Sequence, residues 1–263
     1  MSEIDDKLYL ARVCHLSGLP EEALKYIEEV IILKNGDINE EEKNLLFNSL
    51  KTLINFRRES WRTINALESK EIKNNSHLLP RVTELKLSLA EEIKKLVDKG
   101  IELIDKKLLK ENISDELKVM YHKIKGDYIR YIIELTSKDK EEEINILKDQ
   151  ADENYKIGLN LSESLNNLST TKISLILNYS VFLYEVIKDY KNAYVLANNT
   201  YQTTMKSLNE DNYDLSLLKD LNKMLNILKE NISKWGETVV PENVENLASD
   251  LPPENNEDIS PSE

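Results

Sequence analysis

Apolar residues recur every three or four positions along nearly the whole chain, which is the period of an amphipathic α-helix. Short polar or glycine-containing segments interrupt the pattern, and no segment alternates apolar and polar residues with a period of two. The pattern therefore predicts an all-α protein with nine helices, at about residues 3–17, 21–33, 39–73, 80–110, 115–137, 141–165, 170–188, 191–208 and 214–235.

The loops between these helices span only a few residues, which makes neighbouring helices antiparallel. Most helices carry one apolar stripe, so that each has a single face to bury. We therefore expect a layered or solenoid-like array of helices.

Charge divides the chain into two parts. The 263 residues carry a net charge of −13, and residues 237–263 contain eight acidic residues without a Lys or Arg. Residues 1–236 thus have a net charge of −13 + 8 = −5. Four of the six prolines also lie in the last segment, which has few apolar residues to offset the entropy of ordering. We predict a helical domain over 1–236 and a disordered acidic tail over 237–263.

Composition excludes several classes of function. The six glycines stand singly, so no glycine-rich loop is available to bind a nucleotide. A single cysteine, Cys14, forms no internal disulfide or CxxC site, and the three histidines lack metal-ligand spacing. Net acidity disfavours nucleic acid, and no apolar run reaches the length of a membrane span. We expect a cytoplasmic, non-enzymatic protein with no cofactor, metal, nucleic acid or membrane partner.

A cationic strip lies on the third helix. Lys51, Arg58 and Arg62 are spaced by seven and four residues, which places them within about 40° on one helix face. Exposed cations are common, so a solvated basic stripe is the ordinary explanation. However, much of the remaining helix surface is apolar, including Trp61, and three neighbouring cations repel each other. A bound dianion such as phosphoserine would relieve that repulsion.

A second cluster lies on the fifth helix. Lys123, Asp127 and Arg130 share a face at positions i, i+4 and i+7, and Tyr131 follows directly. Asp127 can orient both cations by charge-assisted hydrogen bonds. An ordinary surface ion pair is the alternative interpretation of this spacing.

Two further stripes lie on the seventh and ninth helices. Asparagine side chains offer one donor and one acceptor, which suits them to hold an extended peptide main chain. Plain core packing would explain the apolar members equally well. The stripes comprise Asn178, Val181 and Glu185, and Met224, Ile227, Asn231 and Trp235.

Four sequence blocks, taken together in order and spacing, resemble the 14-3-3 family, and the resemblance covers residues 1–236. The resemblance implies a cup-shaped array of nine helices that dimerises and binds phosphoserine or phosphothreonine peptides. The blocks are Asn44-Leu45-Leu46, Arg57-Arg58-Glu59-Ser60-Trp61-Arg62, Lys125-Gly126-Asp127-Tyr128-Ile129-Arg130-Tyr131 and Leu177-Asn178-Tyr179-Ser180-Val181-Phe182-Leu183-Tyr184-Glu185.

The resemblance also implies site residues. The family's phosphate pocket falls on Lys51, Arg58, Arg130 and Tyr131, with Arg62 and Lys123 in support. The remaining groove positions would hold the peptide main chain or line an apolar wall. They fall on Leu177, Asn178, Val181, Glu185, Met224, Ile227, Asn231 and Trp235.

Some positions depart from the family pattern. Lys223 replaces an apolar residue of the groove wall, and the spacing before Trp235 is longer. At the family's dimer interface Leu19 replaces an Arg, Leu85 an aromatic residue and Ser88 a Lys. The apolar seat at Ser60, Ile64 and Leu67 remains. We therefore expect a homodimer or a heterodimer with an atypical interface.

The tail ends in Ser260-Pro261-Ser262-Glu263. A phosphorylated serine shortly before a free carboxylate is one class of ligand for the family, so Ser262 or Ser260 could become a self-ligand. A merely solubilising acidic tail is the alternative.

The sequence therefore favours a phosphoprotein-binding adaptor. The main alternative is a helical-repeat scaffold that binds unphosphorylated partners, although no consistent 34-residue repeat is present. An all-α hydrolase or metal enzyme lacks a supporting motif.

Overall fold

The computed structural model describes residues 2–210 and 218–249, with the helical backbone alone for residues 210 and 238–249. These described residues form nine α-helices and no β-strand, which confirms the predicted fold class. The helices are α1 Glu3–Leu16, α2 Pro20–Leu33, α3 Glu40–Lys73, α4 Leu79–Leu103, α5 Asp115–Leu135, α6 Glu141–Leu161, α7 Thr170–Phe182, α8 Tyr190–Glu210 and α9 Lys219–Ser249.

Side-chain caps explain where several helices begin. Asn39 caps α3: its Oδ1 accepts from the Glu42 N–H at 3.0 Å, and the Glu42 carboxylate accepts from the Asn39 N–H at 2.9 Å. Ser114 and Ser169 cap α5 and α7 through their hydroxyl groups, which accept from the N–H of Leu117 and of Lys172. These caps set the start of three helices that carry the predicted site residues.

Two helices end in a π-helical turn where the sequence predicted unbroken α-helix. After α4 the turn covers Ile104–Leu108, and after α7 it covers Leu183–Ile187. The first turn buries Ile104 and Leu108, and the second buries Leu183. Apolar periodicity alone does not separate the α and π geometries, because one wide turn shifts the apolar face by a single residue.

The residues 1–161 form one compact unit, which contains α1 to α6. Its helices pack mainly on their neighbours in the chain, with α3 between α2 and α4 and α5 against α6. One apolar cluster joins α1, α2 and α3, and a second joins α3, α4 and α5. Helix α3 therefore contributes apolar side chains to both clusters. The cationic strip lies on the part of its surface that neither cluster uses.

The residues 162–263 form the second unit. Within its described part, α7 packs on both α8 and α9, and α8 packs on α9. Small residues such as Ala193 and Ala197 are fully buried on α8, and Leu225 and Leu228 are buried on α9. This packing leaves one edge of α7 and of α9 for the predicted peptide-binding residues.

The last helix is longer than predicted. We expected it to end near Trp235, but α9 continues through Ser249. The boundary between a helical domain over 1–236 and a disordered tail over 237–263 stays a prediction. The sequence carries Val240, Val244 and Leu247 at helical spacing, a pattern hidden when composition is averaged over 27 residues. The predicted start of this helix at Asp214, and residues 250–263 of the predicted tail, lie outside the described residues.

Candidate functional site

The cations of α3 differ in their surroundings. Lys51 is exposed and has no ion pair among the described residues, whereas the Arg58 side chain is buried, with 8% of the residue exposed. Arg62 is exposed. The strip predicted from sequence therefore exists, and Arg58 is its one member embedded in the protein.

Glu134 on α5 joins two of these cations. Its Oε2 accepts hydrogen bonds from Arg58 Nε at 3.0 Å and Nη2 at 2.5 Å, and its Oε1 accepts one from Arg62 Nε. Burial would raise the pKa of Glu134, but the hydrogen bonds from Arg62 and Arg58 outweigh it and lower that pKa. Glu134 is therefore ionised at neutral pH and holds both guanidinium groups on one side.

Asp127, two turns earlier on α5, is a second carboxylate with several partners. It is buried, accepts from Lys123 Nζ at 2.8 Å and from the Tyr155 hydroxyl at 2.7 Å, and lies 3.8 Å from Arg130 Nη2. Burial would raise the pKa of Asp127, but the charges of Lys123 and Arg130 and these hydrogen bonds lower it. A buried carboxylate thus fixes the two cations that flank it.

Tyr131 lies between the two carboxylates in the sequence of α5. The Cζ of Arg58 is 3.6 Å from the centroid of the Tyr131 ring, and that of Arg130 is 5.1 Å from it. Burial, with the charge of Asp127, raises the pKa of the Tyr131 phenol, although the neighbouring cations oppose the shift. The phenol therefore keeps its proton at neutral pH and can donate a hydrogen bond.

The charged side chains of α3 and α5 form one cluster, which has an excess of positive charge and a hydrogen-bond donor without an acceptor. Its five cations, Lys51, Arg58, Arg62, Lys123 and Arg130, face two carboxylates, which leaves a net charge of 5 − 2 = +3. The Nε of Arg130 is buried and has no hydrogen-bond partner among the described residues. A buried donor without a partner is costly, and an anionic ligand would supply an acceptor. The site can thus bind a compact, multiply charged anion.

Gly126 explains how α6 comes close enough to contribute Tyr155. A Cβ at this position would lie 2.8 Å from Cε1 of the Tyr155 ring, so only glycine fits without displacement. The close approach places the Tyr155 hydroxyl on Asp127. Burial, with the charge of Asp127, raises the Tyr155 pKa well above its ordinary value, so the phenol remains a donor.

Sequence reasoning missed two of these residues. Glu134 carries a local signal, because it follows Arg130 by four positions and thus lies on the same face of α5. Tyr155 carries none: it lies 28 residues from Asp127, and only the packing of α5 on α6 brings the two together.

The other predicted residues lie in the second unit. Leu177, Asn178 and Val181 on α7 are half-buried, and Glu185 in the π turn is exposed. On α9, Met224 and Asn231 are half-buried, and Ile227 is 39% exposed. Both helices therefore present partly accessible amide and apolar side chains, and the predicted role of these side chains in peptide binding stays a prediction.

Trp235 is the most enclosed of the predicted peptide-binding residues. Its indole is 6% exposed and stacks on Tyr184, with the ring centroids 4.7 Å apart and the planes 14° apart. Tyr184 in turn meets Tyr190 edge to face at 4.9 Å. Trp235 therefore joins α9 to the π turn that carries Glu185, and its predicted contact with a peptide stays a prediction.

Two further kinds of site were sought among the described residues, a metal site and a membrane span. These residues contain no group of three His, Cys, Asp or Glu side chains that could hold a metal ion. None of the described helices combines the length and the apolar composition that a membrane span requires.

Comparison with known proteins identifies the family. Residues 10–236 match the family model described as 14-3-3 protein. The chain is a member of the 14-3-3 family.

Curated 14-3-3 proteins are similar over most of their length. A 14-3-3 protein homolog of Trichoderma harzianum is 31% identical over 239 residues, covering 88% of this chain and 87% of that protein. The 14-3-3-like protein GF14 omicron of Arabidopsis thaliana is 33% identical over 237 residues, covering 86% and 90%. The 14-3-3 protein 2 of Entamoeba histolytica is 29% identical over 239 residues, covering 89% and 97%.

Membership confirms the resemblance carried by the four sequence blocks. Proteins of the 14-3-3 family are adaptors that bind phosphorylated partners and form dimers. A phosphopeptide-binding adaptor role in general therefore holds for this chain.

Proposed function

We propose that this 14-3-3 protein binds phosphoserine or phosphothreonine segments of client proteins at the cluster of α3 and α5. The phosphate would contact Lys51, Arg58, Arg130 and Tyr131. The observation that carries the proposal is the pair of carboxylates, Asp127 and Glu134, each of which holds two cations, because such a cluster is assembled before the ligand arrives.

Each proposed contact follows from the chemistry of its side chain. Arg58 donates from its Nε and Nη2 to Glu134, and from its Nη1 only to Asn55 Oδ1 at a long 3.5 Å. The Nη1 edge is therefore the one that would turn to a phosphate. The buried Nε of Arg130 would gain an acceptor, and the Tyr131 phenol would donate. Lys51, exposed and without an ion pair among the described residues, can turn toward the ligand as a mobile point charge. Arg62 and Lys123 support the site through the two carboxylates.

The residues of α7 and α9 would hold the peptide that carries the phosphate. Asn178 and Asn231 would bind the main chain by one donor and one acceptor each. Glu185 and the indole of Trp235 would add main-chain contacts. The flanking side chains would lie on the half-exposed apolar residues Leu177, Val181, Met224 and Ile227.

The decisive experiment compares a phosphopeptide with its dephosphorylated twin. Wild-type protein should bind the phosphorylated form at least about a hundredfold more tightly, since several charge-assisted hydrogen bonds depend on the phosphate. Arg58→Ala should abolish that difference, whereas Arg81→Ala, an exposed arginine on α4, should leave it unchanged. Equal binding of both peptides by the wild type would instead favour the helical-repeat scaffold for unphosphorylated partners.

We further propose that the tail regulates the site. Ser262 and Ser260 lie outside the described residues, and the support is their position in an acidic, proline-containing segment. Once phosphorylated, either serine could compete with clients at high effective concentration. Truncation after Ser249, which leaves α9 whole, should then tighten client binding only in phosphorylated samples. Unchanged binding after phosphorylation of Ser262 and Ser260 would contradict the idea.

We also propose that the protein acts in the cytoplasm as a homodimer or heterodimer. An exposed apolar set supports association: Leu19, Leu67 and Leu85 are each about half exposed. Charges nearby have partners in their own chain. Arg57 binds Glu21 and Glu92, and Lys86 binds Glu68. The interface would therefore rest on apolar contacts, and this makes it atypical.

A further inference from the structure

The cationic strip of α3 is part of a longer polar face. Counted at 100° per residue, six residues fall within about 80° of one another, and they extend over about 27 Å of the helix axis. Five of them are exposed and only Arg58 is buried. Three carry an amide and three a cationic side chain: Asn44, Asn48, Lys51, Asn55, Arg58 and Arg62.

At its N-terminal end this face opens into a cleft between α1 and α3. The cleft has a volume of about 440 Å³. Leu45, 6% exposed, contributes apolar surface to the cleft, as does Leu16 on α1, whose side chain is 85% exposed. The amides of Asn44 and Asn48 also line the cleft. The volume is within the range of small-ligand pockets and is sufficient for one large apolar side chain.

A salt bridge lines the same cleft. Arg12 on α1 donates to the two oxygens of Glu41 on α3, at 2.5 Å from Nε and 2.7 Å from Nη2. This bidentate pair spans the two helices and neutralises both charges, so the cleft offers no net charge to a ligand. The side-chain amides of Asn44 and Asn48 line this cleft as well, and neither has a hydrogen bond among the described residues.

We propose that this cleft is a second subsite for the same peptide, which receives an apolar side chain some distance from the phosphorylated residue. This inference rests on the proposed function, and it adds one requirement for the phosphopeptide: an apolar side chain at a set distance from the phosphorylated residue. Asn44 and Asn48 would hold the extended main chain, and Leu16 and Leu45 would enclose the side chain. Continuity of the polar face from Arg58 to Asn44 is the observation that selects a peptide as the occupant.

The helix geometry sets the spacing. Asn48 and Asn44 lie about 15 and 21 Å along the axis from Arg58. An extended peptide advances about 3.3 Å per residue, so the apolar side chain belongs about five or six residues from the phosphorylated one.

The test uses fluorescent phosphoserine peptides with a Gly-Ser background and one leucine moved along each side of the phosphoserine. Full-length protein should bind about tenfold more tightly when the leucine lies about five or six residues away on one side, because a leucine side chain then leaves water. A truncated phosphopeptide that ends about two residues from the phosphoserine should lose this gain. A flat leucine scan would overturn the proposal while phosphorylation-dependent binding still held.

Variants distinguish a peptide subsite from a cleft that is occupied by a second copy of the chain. Leu16→Ser changes an exposed side chain and should remove the leucine gain without altering the affinity of the truncated peptide. Tyr9→Ser, on the same helix but outside the cleft, should retain the gain. If Leu16→Ser instead shifts the oligomeric state in sedimentation and leaves the leucine scan intact, a second copy of the chain occupies the cleft and the proposal is wrong. Loss of all discrimination between phosphorylated and dephosphorylated peptides in the wild type would sink the proposed function itself.

Discussion

Arg58 donates to Glu134 from both its Nε and its Nη2, although the two residues lie 76 positions apart in the chain. The pair connects α3 to α5 and fixes the one buried guanidinium of the cationic strip. Its Cζ lies over the ring of Tyr131, 3.6 Å from the ring centroid. An arginine so held has lost its rotamer freedom before any ligand binds, which lowers the entropic cost of binding.

Arg58→Lys tests whether the guanidinium shape matters beyond its charge. A lysine cannot bind Glu134 through two nitrogens, stack on Tyr131 and face a phosphate at once. We expect phosphopeptide affinity to fall at least about tenfold and the free energy of unfolding to fall by about 1–2 kcal/mol. Fluorescence anisotropy and urea unfolding measure the two effects. Arg62→Lys, at a side chain that is 58% exposed, is the matched control and should lose much less of both.

Gly126→Ala tests the close packing of α5 on α6. The added Cβ would meet the Tyr155 ring at 2.8 Å, so the ring must move and its hydrogen bond to Asp127 must lengthen. We expect a loss of about 1–3 kcal/mol in the free energy of unfolding, together with weaker phosphopeptide binding. Gly236→Ala serves as the control, because its nearest neighbour would lie at an ordinary 3.6 Å and alanine favours helix. Equal behaviour of the two variants would contradict the packing argument.

Acid should destabilise the protein through its ion-paired carboxylates. Their pKa values are lowered in the folded state, notably those of Asp127, Glu134 and Glu68, so the unfolded chain binds more protons in acid. The stability they contribute is present above their ordinary pKa values of 3.8 and 4.5 and is lost as the pH falls through the folded values. Urea midpoints measured from pH 7 to pH 3 should therefore decline mainly below about pH 4.5. Glu134→Gln should make that decline shallower.

The proposed dimer should tolerate salt. Arg57 and Lys86 already have acidic partners in their own chain, and apolar side chains such as Leu85 remain exposed. Since salt screens ion pairs but not apolar burial, the dissociation constant should change less than about twofold between 0.1 and 1 M NaCl. Analytical ultracentrifugation measures it. Leu85→Lys should weaken the dimer at both salt concentrations, whereas Ile146→Lys on α6 should not. A strongly salt-dependent wild type would show that ion pairs between chains dominate.

Much of the helical framework could be predicted because its determinants are local. Apolar periodicity located each of the nine helices that the described residues form. The caps at Asn39 and Ser114 are equally local, because each side chain accepts from an N–H three residues further on. The π turns and the extension of α9 to Ser249 were missed for two reasons. The choice between α and π depends on packing, and average composition obscured a short apolar stripe.

The site residues likewise fall into those that the sequence could predict and those that it could not. The spacing of Lys51, Arg58 and Arg62, and that of Lys123, Asp127 and Arg130, is a property of single helices and was visible in the sequence. Periodicity could place each set on one face of its helix, but it could not show that α3 faces α5.

What the sequence by itself determined is therefore the helical class, the faces of the helices and, through ordered motifs, membership in the 14-3-3 family. Only the tertiary structure decided that Arg58 shares Glu134 with Arg62 and that Tyr155 secures Asp127. The physical reason is the range of the interactions. Helix formation and capping depend on residues within one turn, whereas the partners of a buried charge are chosen by how distant helices pack.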